Sequence, residues 1–137
     1  MVNKIVGVVV LVGTLMMSSC ASNSSSNRLN NDKIEEITTS LENVNEINFK
    51  NKKNVLLDVR TPEEFAEGHV PGAINIDVKN ENFSDKISKL DANKNYYIYC
   101  RTGVRAKLAT EKMQEKGLNN VVSFKDGMYT YKGTVEK

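Results

Sequence analysis

The chain concentrates its reactive side chains around Cys100. The segment Tyr96-Tyr97-Ile98-Tyr99-Cys100-Arg101-Thr102-Gly103-Val104-Arg105-Ala106 leads from a β-prone run into a helical pattern that ends at Lys116, with Gly117 as its stop. A cysteine between a strand and a helix N-terminus faces backbone N–H groups that the helix leaves unpaired, and the positive end of the helix dipole. Gly103 lets the backbone curl so that several N–H groups turn inward, as in an anion-binding nest. Arg101 and Arg105 add two permanent cations. All three effects favour thiolate over thiol, and thiolate is the form that attacks a sulfane sulfur. The same groups would hold the persulfide that results. The alternative, Cys100 as a small inert core residue, sits poorly with Arg at +1 and +5 around a Gly. The expectation is a deprotonated sulfur at the mouth of a sheet, open to solvent.

The remaining chemistry-bearing residues are few. There are two cysteines, Cys20 and Cys100, and one histidine, His69, so a structural zinc site of four such ligands is hard to build and no metal is expected. His69 follows a helix-stopping Gly68 and reads as a tie for that turn rather than a general base. No Cys-x-x-Cys is present, which sets aside a thiol redox protein. The formal charge is +2. Lys4 is the only charge in residues 1–19, so their removal leaves 18 Lys+Arg against 17 Asp+Glu. With no long basic stripe, nucleic acid is not an expected partner.

The elements that must position Cys100 follow from pattern. Lys33–Thr38, with Ile34 and Ile37, is expected as a short strand; Thr39 with Glu42 matches a capping box ahead of Leu41, Val44 and Ile47 at helical spacing. Asn54–Val59 carries Val-Leu-Leu without polar alternation, as a strand buried on both faces does. Thr61-Pro62-Glu63-Glu64 starts a short helix, with Thr61 as N-cap, Pro62 in the first turn and Glu64 closing the box; Gly68 and Pro71-Gly72 end it. Ala73–Ile76 reads as a strand, Ser84 as the cap of a helix through Leu90, Tyr96–Tyr99 as the strand before Cys100, and Val121–Phe124 as a last strand. Strands interleaved with helices predict an α/β domain with a mainly parallel central sheet flanked by helices. Active sites of such sheets form beyond the carboxyl ends of the strands, where Cys100 stands.

The amino-terminal residues read as an address. Lys4 precedes an apolar run, Ile5–Met17, too short to cross a bilayer, and Ser18-Ser19 leads to Cys20. Met17-Ser18-Ser19-Cys20 resembles the bacterial lipobox, with Met17 where Leu is commoner. That resemblance implies cleavage before Cys20, lipidation there, and anchorage to a membrane of the cell envelope, facing the periplasm or the extracytoplasmic side. Ala21–Asn31, rich in Ser and Asn, reads as a flexible tether. The expected division is 1–19 signal peptide, 20–31 lipidated Cys20 and linker, and 32–137 a single folded domain.

Three ordered segments carry a family resemblance. Val55-Leu56-Leu57-Asp58-Val59-Arg60-Thr61-Pro62-Glu63-Glu64-Phe65, with Gly68-His69-Val70-Pro71-Gly72-Ala73-Ile74-Asn75, resembles the amino-terminal signatures of the rhodanese family. Cys100-Arg101-Thr102-Gly103-Val104-Arg105-Ala106 is similar to that family's active-site loop, and Asn120–Met128 to its last strand and turn. The resemblance implies a rhodanese-like fold and a sulfurtransferase with Cys100 as persulfide carrier. It implies that Arg101, Thr102, Gly103, Val104 and Arg105 cradle the sulfur and substrate anion, and that Asp58 and Arg60 support the site. A small sulfur donor and acceptor are the implied partners, with no cofactor. Asp126 stands where the family usually has Gly, and Tyr129 and Tyr131 where a Trp is common. A non-catalytic or persulfide-binding module of the same fold is the main rival. Phosphatases and arsenate reductases are more distant, because related phosphatases use Cys-x5-Arg and the spacing here is one residue shorter.

Overall fold

In the computed structural model, the described residues are Glu35 and 37–137. The expected signal peptide, Cys20, the linker, and Lys33 and Ile34 lie outside them. The elements in chain order are a 3-10 helix Leu41–Glu46, β1 Asn54–Asp58, α1 Pro62–Glu67, β2 Ile74–Asn75, α2 Phe83–Ser88, β3 Asn95–Cys100, α3 Val104–Glu115 and β4 Val121–Gly127. The four strands form one sheet in the order β2-β1-β3-β4, every pair parallel. This is the α/β architecture that the pattern predicts.

Both faces of the central strands β1 and β3 are buried, which is why these two lack polar alternation. Along β3 the side chains alternate. Tyr96, Ile98 and Cys100 join the cluster that holds Leu57, Phe83, Ile87, Ala106, Ala109 and Met113. Tyr97 and Tyr99 join Ile37, Leu41, Val44, Leu56 and Phe124 on the opposite face. Cys100 therefore lies on the α3 face, where the small Ala106 and Ala109 let the helix sit close to the sheet.

The chain leaves β1 toward β2 on one side and returns to β3 on the other, so the order reverses between β1 and β3. Such a switch point opens a crevice at the carboxyl ends of the two strands. The ends are in register, with Asp58 beside Tyr99 and the Val59 N–H donating to the Tyr99 carbonyl at 3.1 Å. Asp58 to Arg60 and Cys100 to Arg101 thus meet at one place.

Three local expectations change. Ser84 lies inside α2 rather than at its N-cap, which is Asn82. Glu35 and Ile37 are helical, not extended, so a strand at Lys33–Thr38 does not form across the described part of that segment. Ile34 and Ile37 are three apart, a spacing that suits a helical turn better than a pleated strand. The N-cap of the next helix is Ser40 rather than Thr39. The Ser40 hydroxyl accepts from the Glu42 N–H at 3.3 Å, and the Thr39 hydroxyl donates back to the Glu35 carbonyl. Ser40 is fixed from outside the helix by Asp126, described below.

Candidate active site

The loop after β3 is held by glycines on either side. Gly103, at φ +95°, caps α3, and a Cβ there would stand 2.4 Å from the Lys125 carbonyl oxygen. Gly127 closes β4, and a Cβ there would stand 2.1 Å from the Cys100 carbonyl oxygen. Only glycine permits β4 and the Cys100 loop to press together this closely. Beyond β4 the pairing continues: the Met128 N–H donates to the Cys100 carbonyl at 3.0 Å, and the Tyr129 N–H to the Arg101 carbonyl at 2.9 Å.

No side chain of Gly103 can cap α3, and the Cys100 sulfur takes that place. Sγ accepts the Gly103 N–H at 3.1 Å and the Ala106 N–H at 3.4 Å. Two amide donors at a helix N-terminus are suited to negative charge on sulfur. The sulfur is not open, however. Cys100 has 0% of its surface exposed, which corrects the expectation of a solvent-facing thiol at the mouth of the sheet. Sγ is turned into the first turn of α3, and the strand extension through Tyr129 runs past the Cys100 backbone.

The two cations expected beside the sulfur also differ from the expectation. Arg105 donates through both terminal nitrogens to Glu64, Nη1 to Oε2 at 2.6 Å and Nη2 to Oε1 at 2.8 Å. That bidentate pair holds the Glu64 carboxyl down at about 2 and raises Arg105. Arg105 is therefore paired with α1 while still facing the Cys100 charge, which is a smaller cause of its rise. Glu64 keeps its capping role as well, since Oε2 accepts the Thr61 N–H at 3.1 Å. Arg101 is exposed, with its guanidinium carbon 5.9 Å from the centre of the Tyr129 ring. Thr102 and Val104 are also exposed, Val104 at 75%.

Asp58 and Arg60 form a second, deeper pair. Arg60 Nη2 reaches Asp58 Oδ2 at 2.6 Å, and its Nε is 3.0 Å from both carboxylate oxygens. Nη2 also donates to the Gly68 carbonyl at 2.8 Å, which ties the end of β1 to the turn after α1. Burial works against charge on Arg60, but Asp58 outweighs it and the Arg60 pKa rises. The Tyr99 hydroxyl, accepting the Val70 N–H at 3.0 Å, is pushed far up by burial and by the nearby Asp58 charge. His69 stacks on Phe65 at 3.6 Å, and its Nδ1 lies 3.0 Å from the Phe65 carbonyl. Its backbone pairs in both directions with Glu136 at 2.9 Å.

A cleft of about 440 Å³ lies against this cluster. Arg60, Glu64 and Glu67 line it from the β1–α1 side, Arg101 from the loop, and Met128, Tyr129 and Val135 from the carboxyl-terminal segment. Local pattern reads Glu64 as a capping residue, and Glu67 and Val135 carry no signal of a site. A glutamate just past β1 and an arginine five residues past Cys100 meet only because the sheet aligns the two strand ends.

The departures from the family pattern are placed differently from one another. Asp126 is not on the cleft. Its Oδ1 accepts the Leu41 N–H at 2.6 Å, and its Oδ2 accepts from the Ser40 and Thr130 hydroxyls at 2.7 and 3.1 Å. It pins the amino-terminal 3-10 helix to β4. Tyr131 packs beside the core, with its hydroxyl donating to the Thr134 carbonyl. Tyr129 alone lines the cleft.

A parallel sheet whose central strand ends in a cysteine that caps the next helix defines a class of α/β domain with a sulfur-cradling loop. The family model of the rhodanese-like domain matches residues 40–134. The chain belongs to the rhodanese-like domain family. Among curated relatives, it is 37% identical over 95 residues to an adenylyltransferase and sulfurtransferase of Meyerozyma guilliermondii, covering 64% of this chain and 22% of that one. It is 33% identical over 94 residues to a tRNA sulfurtransferase of Actinobacillus succinogenes, covering 66% and 19%. The chain thus spans about a fifth of either relative. A rhodanese-related protein of Thermoplasma volcanium matches in structure with a TM-score of 0.55 and 30% identity, over 62% of this chain and 85% of that one.

Proposed function

We propose that the protein is a sulfurtransferase whose Cys100 carries sulfane sulfur as a persulfide. The observation that carries this reading is the pair of N–H groups, from Gly103 and Ala106, aimed at the Cys100 sulfur. Relatives named as sulfurtransferases, each matched over part of its length, support it. The reaction is ping-pong. Cys100 thiolate attacks the outer sulfur of thiosulfate or a similar donor, the S–S bond of the donor breaks, and sulfite leaves with its electron pair. A thiophilic acceptor then attacks the outer sulfur of the persulfide, and Cys100 leaves as thiolate. The amides of Gly103 and Ala106 hold charge on sulfur in both steps, while Arg101, Thr102 and Val104 form the outer face of the loop. Asp58 and Arg60 hold its shape from β1.

The burial of Cys100 favours a second reading, a module that holds persulfide without turnover. In the transfer reading, the loop that carries Cys100 must open locally to admit the donor, as loops beside sites commonly do. One experiment separates the two. Incubation with thiosulfate should make the intact protein heavier by one sulfur atom, and cyanide or a small thiol should remove that atom repeatedly. Cys100→Ser should abolish both steps with the fold retained. Loading without release would leave the binding module; transfer retained in Cys100→Ser would refute the assignment.

The lipobox-like residues before Cys20 support a domain tethered to an envelope membrane through lipid on that cysteine. Partition of the expressed chain into detergent, lost on Cys20→Ala, is the expected result; a freely soluble wild type would refute the anchor.

A further inference from the structure

Three turns meet at the amino-terminal rim of the sheet, at the opposite end of the strands from the Cys100 loop. The turn before β1 carries Lys50, Lys52 and Lys53, the turn before β3 carries Lys89 and Lys94, and Lys116 follows α3 ahead of β4. Backbone bonds fix these turns side by side. The Asn95 N–H donates to the Lys53 carbonyl at 2.7 Å, and the Tyr96 N–H to the Asn120 carbonyl at 2.8 Å. The lysines share the turns with one carboxylate, Asp91, and Glu115 ends the helix beside them. Asp91 is already engaged, its Oδ1 accepting the Asn93 N–H at 2.9 Å. Among the described residues, none of these ammonium groups has an ion pair or hydrogen bond, and all but the half-buried Lys94 are exposed. Lys89 and Lys116 close α2 and α3, where a cation suits the helix dipole. Lys50, Lys52, Lys53 and Lys94 have no such reason inside the fold, and crowding them together costs self-repulsion.

We propose that this rim is a docking face for anionic lipid headgroups, which sets the domain on a bilayer with the Cys100 loop directed away from it. Lysines near an anionic membrane are drawn to its surface. The turns hold no arginine, and their aromatic residue, Phe49, is packed edge-on against Tyr97. Without a planar cation or a free ring for bases, a diffuse anionic surface fits the rim better than a nucleic acid. The inference rests on the lipid tether at Cys20 for its membrane. Residues 20–34 span at most about 50 Å when fully extended, so that tether keeps the domain within reach of the surface. The parallel sheet then fixes the direction. β3 begins at Asn95 on the basic rim and ends at Cys100, about 17 Å further on at the usual rise of a strand.

The test inserts the full chain from detergent into preformed vesicles, of phosphatidylcholine alone or mixed with phosphatidylglycerol. Acetylation of each lysine by a small water-soluble reagent is followed by mass spectrometry. Lys79 and Lys132, which follow the carboxyl ends of β2 and β4, are the internal reference. In anionic vesicles the rim lysines should react at least about fivefold more slowly than in neutral ones, the gain from one lysine at an anionic surface. The reference lysines should keep their rates. Salt at about 1 M, where the screening length falls to about 3 Å, should remove the difference. The triple variant Lys50→Gln, Lys52→Gln, Lys53→Gln should return Lys89 and Lys94 to their neutral-vesicle rates. Equal rates in the two vesicles, equal slowing of rim and reference, or slowing that survives the triple variant overturns the docking face and leaves the tether standing. A chain that stays with neither vesicle overturns the tether, and this inference with it. Slowing by single-stranded RNA but not by anionic vesicles would assign the rim to another polyanion and overturn the proposal.

Discussion

Arg105 and Glu64 stand 41 residues apart in sequence and share two parallel hydrogen bonds of 2.6 and 2.8 Å. The arginine that the loop pattern offers as a cation for the sulfur is also a brace between α3 and α1. If it acts as a brace, removing either partner should do the same damage. Glu64→Gln, Arg105→Ala and the double variant should slow sulfur loading to similar extents. The thermodynamic coupling should be about 1 kcal/mol, as for part-exposed pairs with good geometry. Additive losses would show that Arg105 acts on the substrate by itself.

The same pair sets an acid limit. The hydrogen bonds from Arg105 hold Glu64 at about 2 in the folded protein, against an ordinary value near 4.5. A carboxyl depressed by folding stabilises the native state fully above its unfolded pKa and loses that contribution as pH falls through the folded one. Wild-type stability should therefore decline between roughly pH 4.5 and 2, and Glu64→Gln should flatten that part of the curve. Denaturant midpoints measured across this range decide the matter. An unchanged slope in Glu64→Gln would remove Glu64 as its source.

Gly127 and Gly72 offer a steric contrast. A Cβ at Gly127 would fall 2.1 Å from the Cys100 carbonyl oxygen, whereas a Cβ at Gly72 meets nothing within 4 Å and carries only the strain of φ +79°. Gly127→Ala should destabilise by about 3 kcal/mol, and Gly72→Ala by about 1 kcal/mol. Because the clash is with the Cys100 loop, Gly127→Ala should also lose sulfur loading under conditions where it remains folded. Equal effects in the two variants would argue against the close approach of β4 to that loop.

Asp126 replaces a small residue of the family pattern, yet its carboxylate faces the amino-terminal 3-10 helix rather than the cleft. Asp126→Ala removes acceptors from the Leu41 N–H and the Ser40 hydroxyl, a loss of about 1 to 2 kcal/mol for a charged cap. The rate of sulfur transfer in the folded variant should stay close to wild type. A strong change in donor or acceptor preference would place Asp126 at the site after all.

What was legible in the sequence was what neighbouring residues determine. Thr61 and Glu64 form their capping box, Gly103 curls the loop ahead of α3, and the Tyr96–Tyr99 run is a strand. What was not legible depends on residues brought together by the sheet. Glu64 pairs with Arg105 across the β1–β3 switch point, and Asp126 moves a helix cap from Thr39 to Ser40 across 86 residues. The pairing of the Cys100 loop with the segment after β4, through the Met128 and Tyr129 amides, is likewise set by residues distant in sequence. At Lys33–Thr38, two isoleucines could suit either period, and the helical turn at Ile37 prevailed.

The absence of exposed surface on Cys100 makes its reactivity a matter of size. An alkylating reagent must wait for the Cys100 loop to open, so its rate is the intrinsic rate multiplied by the fraction of molecules open widely enough. Reagents of a few atoms need a smaller and more frequent opening than bulky ones. Thiosulfate and iodoacetamide should therefore modify native Cys100, while a large aromatic maleimide should lag by at least about tenfold relative to the same reagents on the unfolded chain. If large and small reagents showed the same ratio of native to unfolded rates, the cover would not be the barrier. Reactivity would then follow the chemistry of the thiol alone.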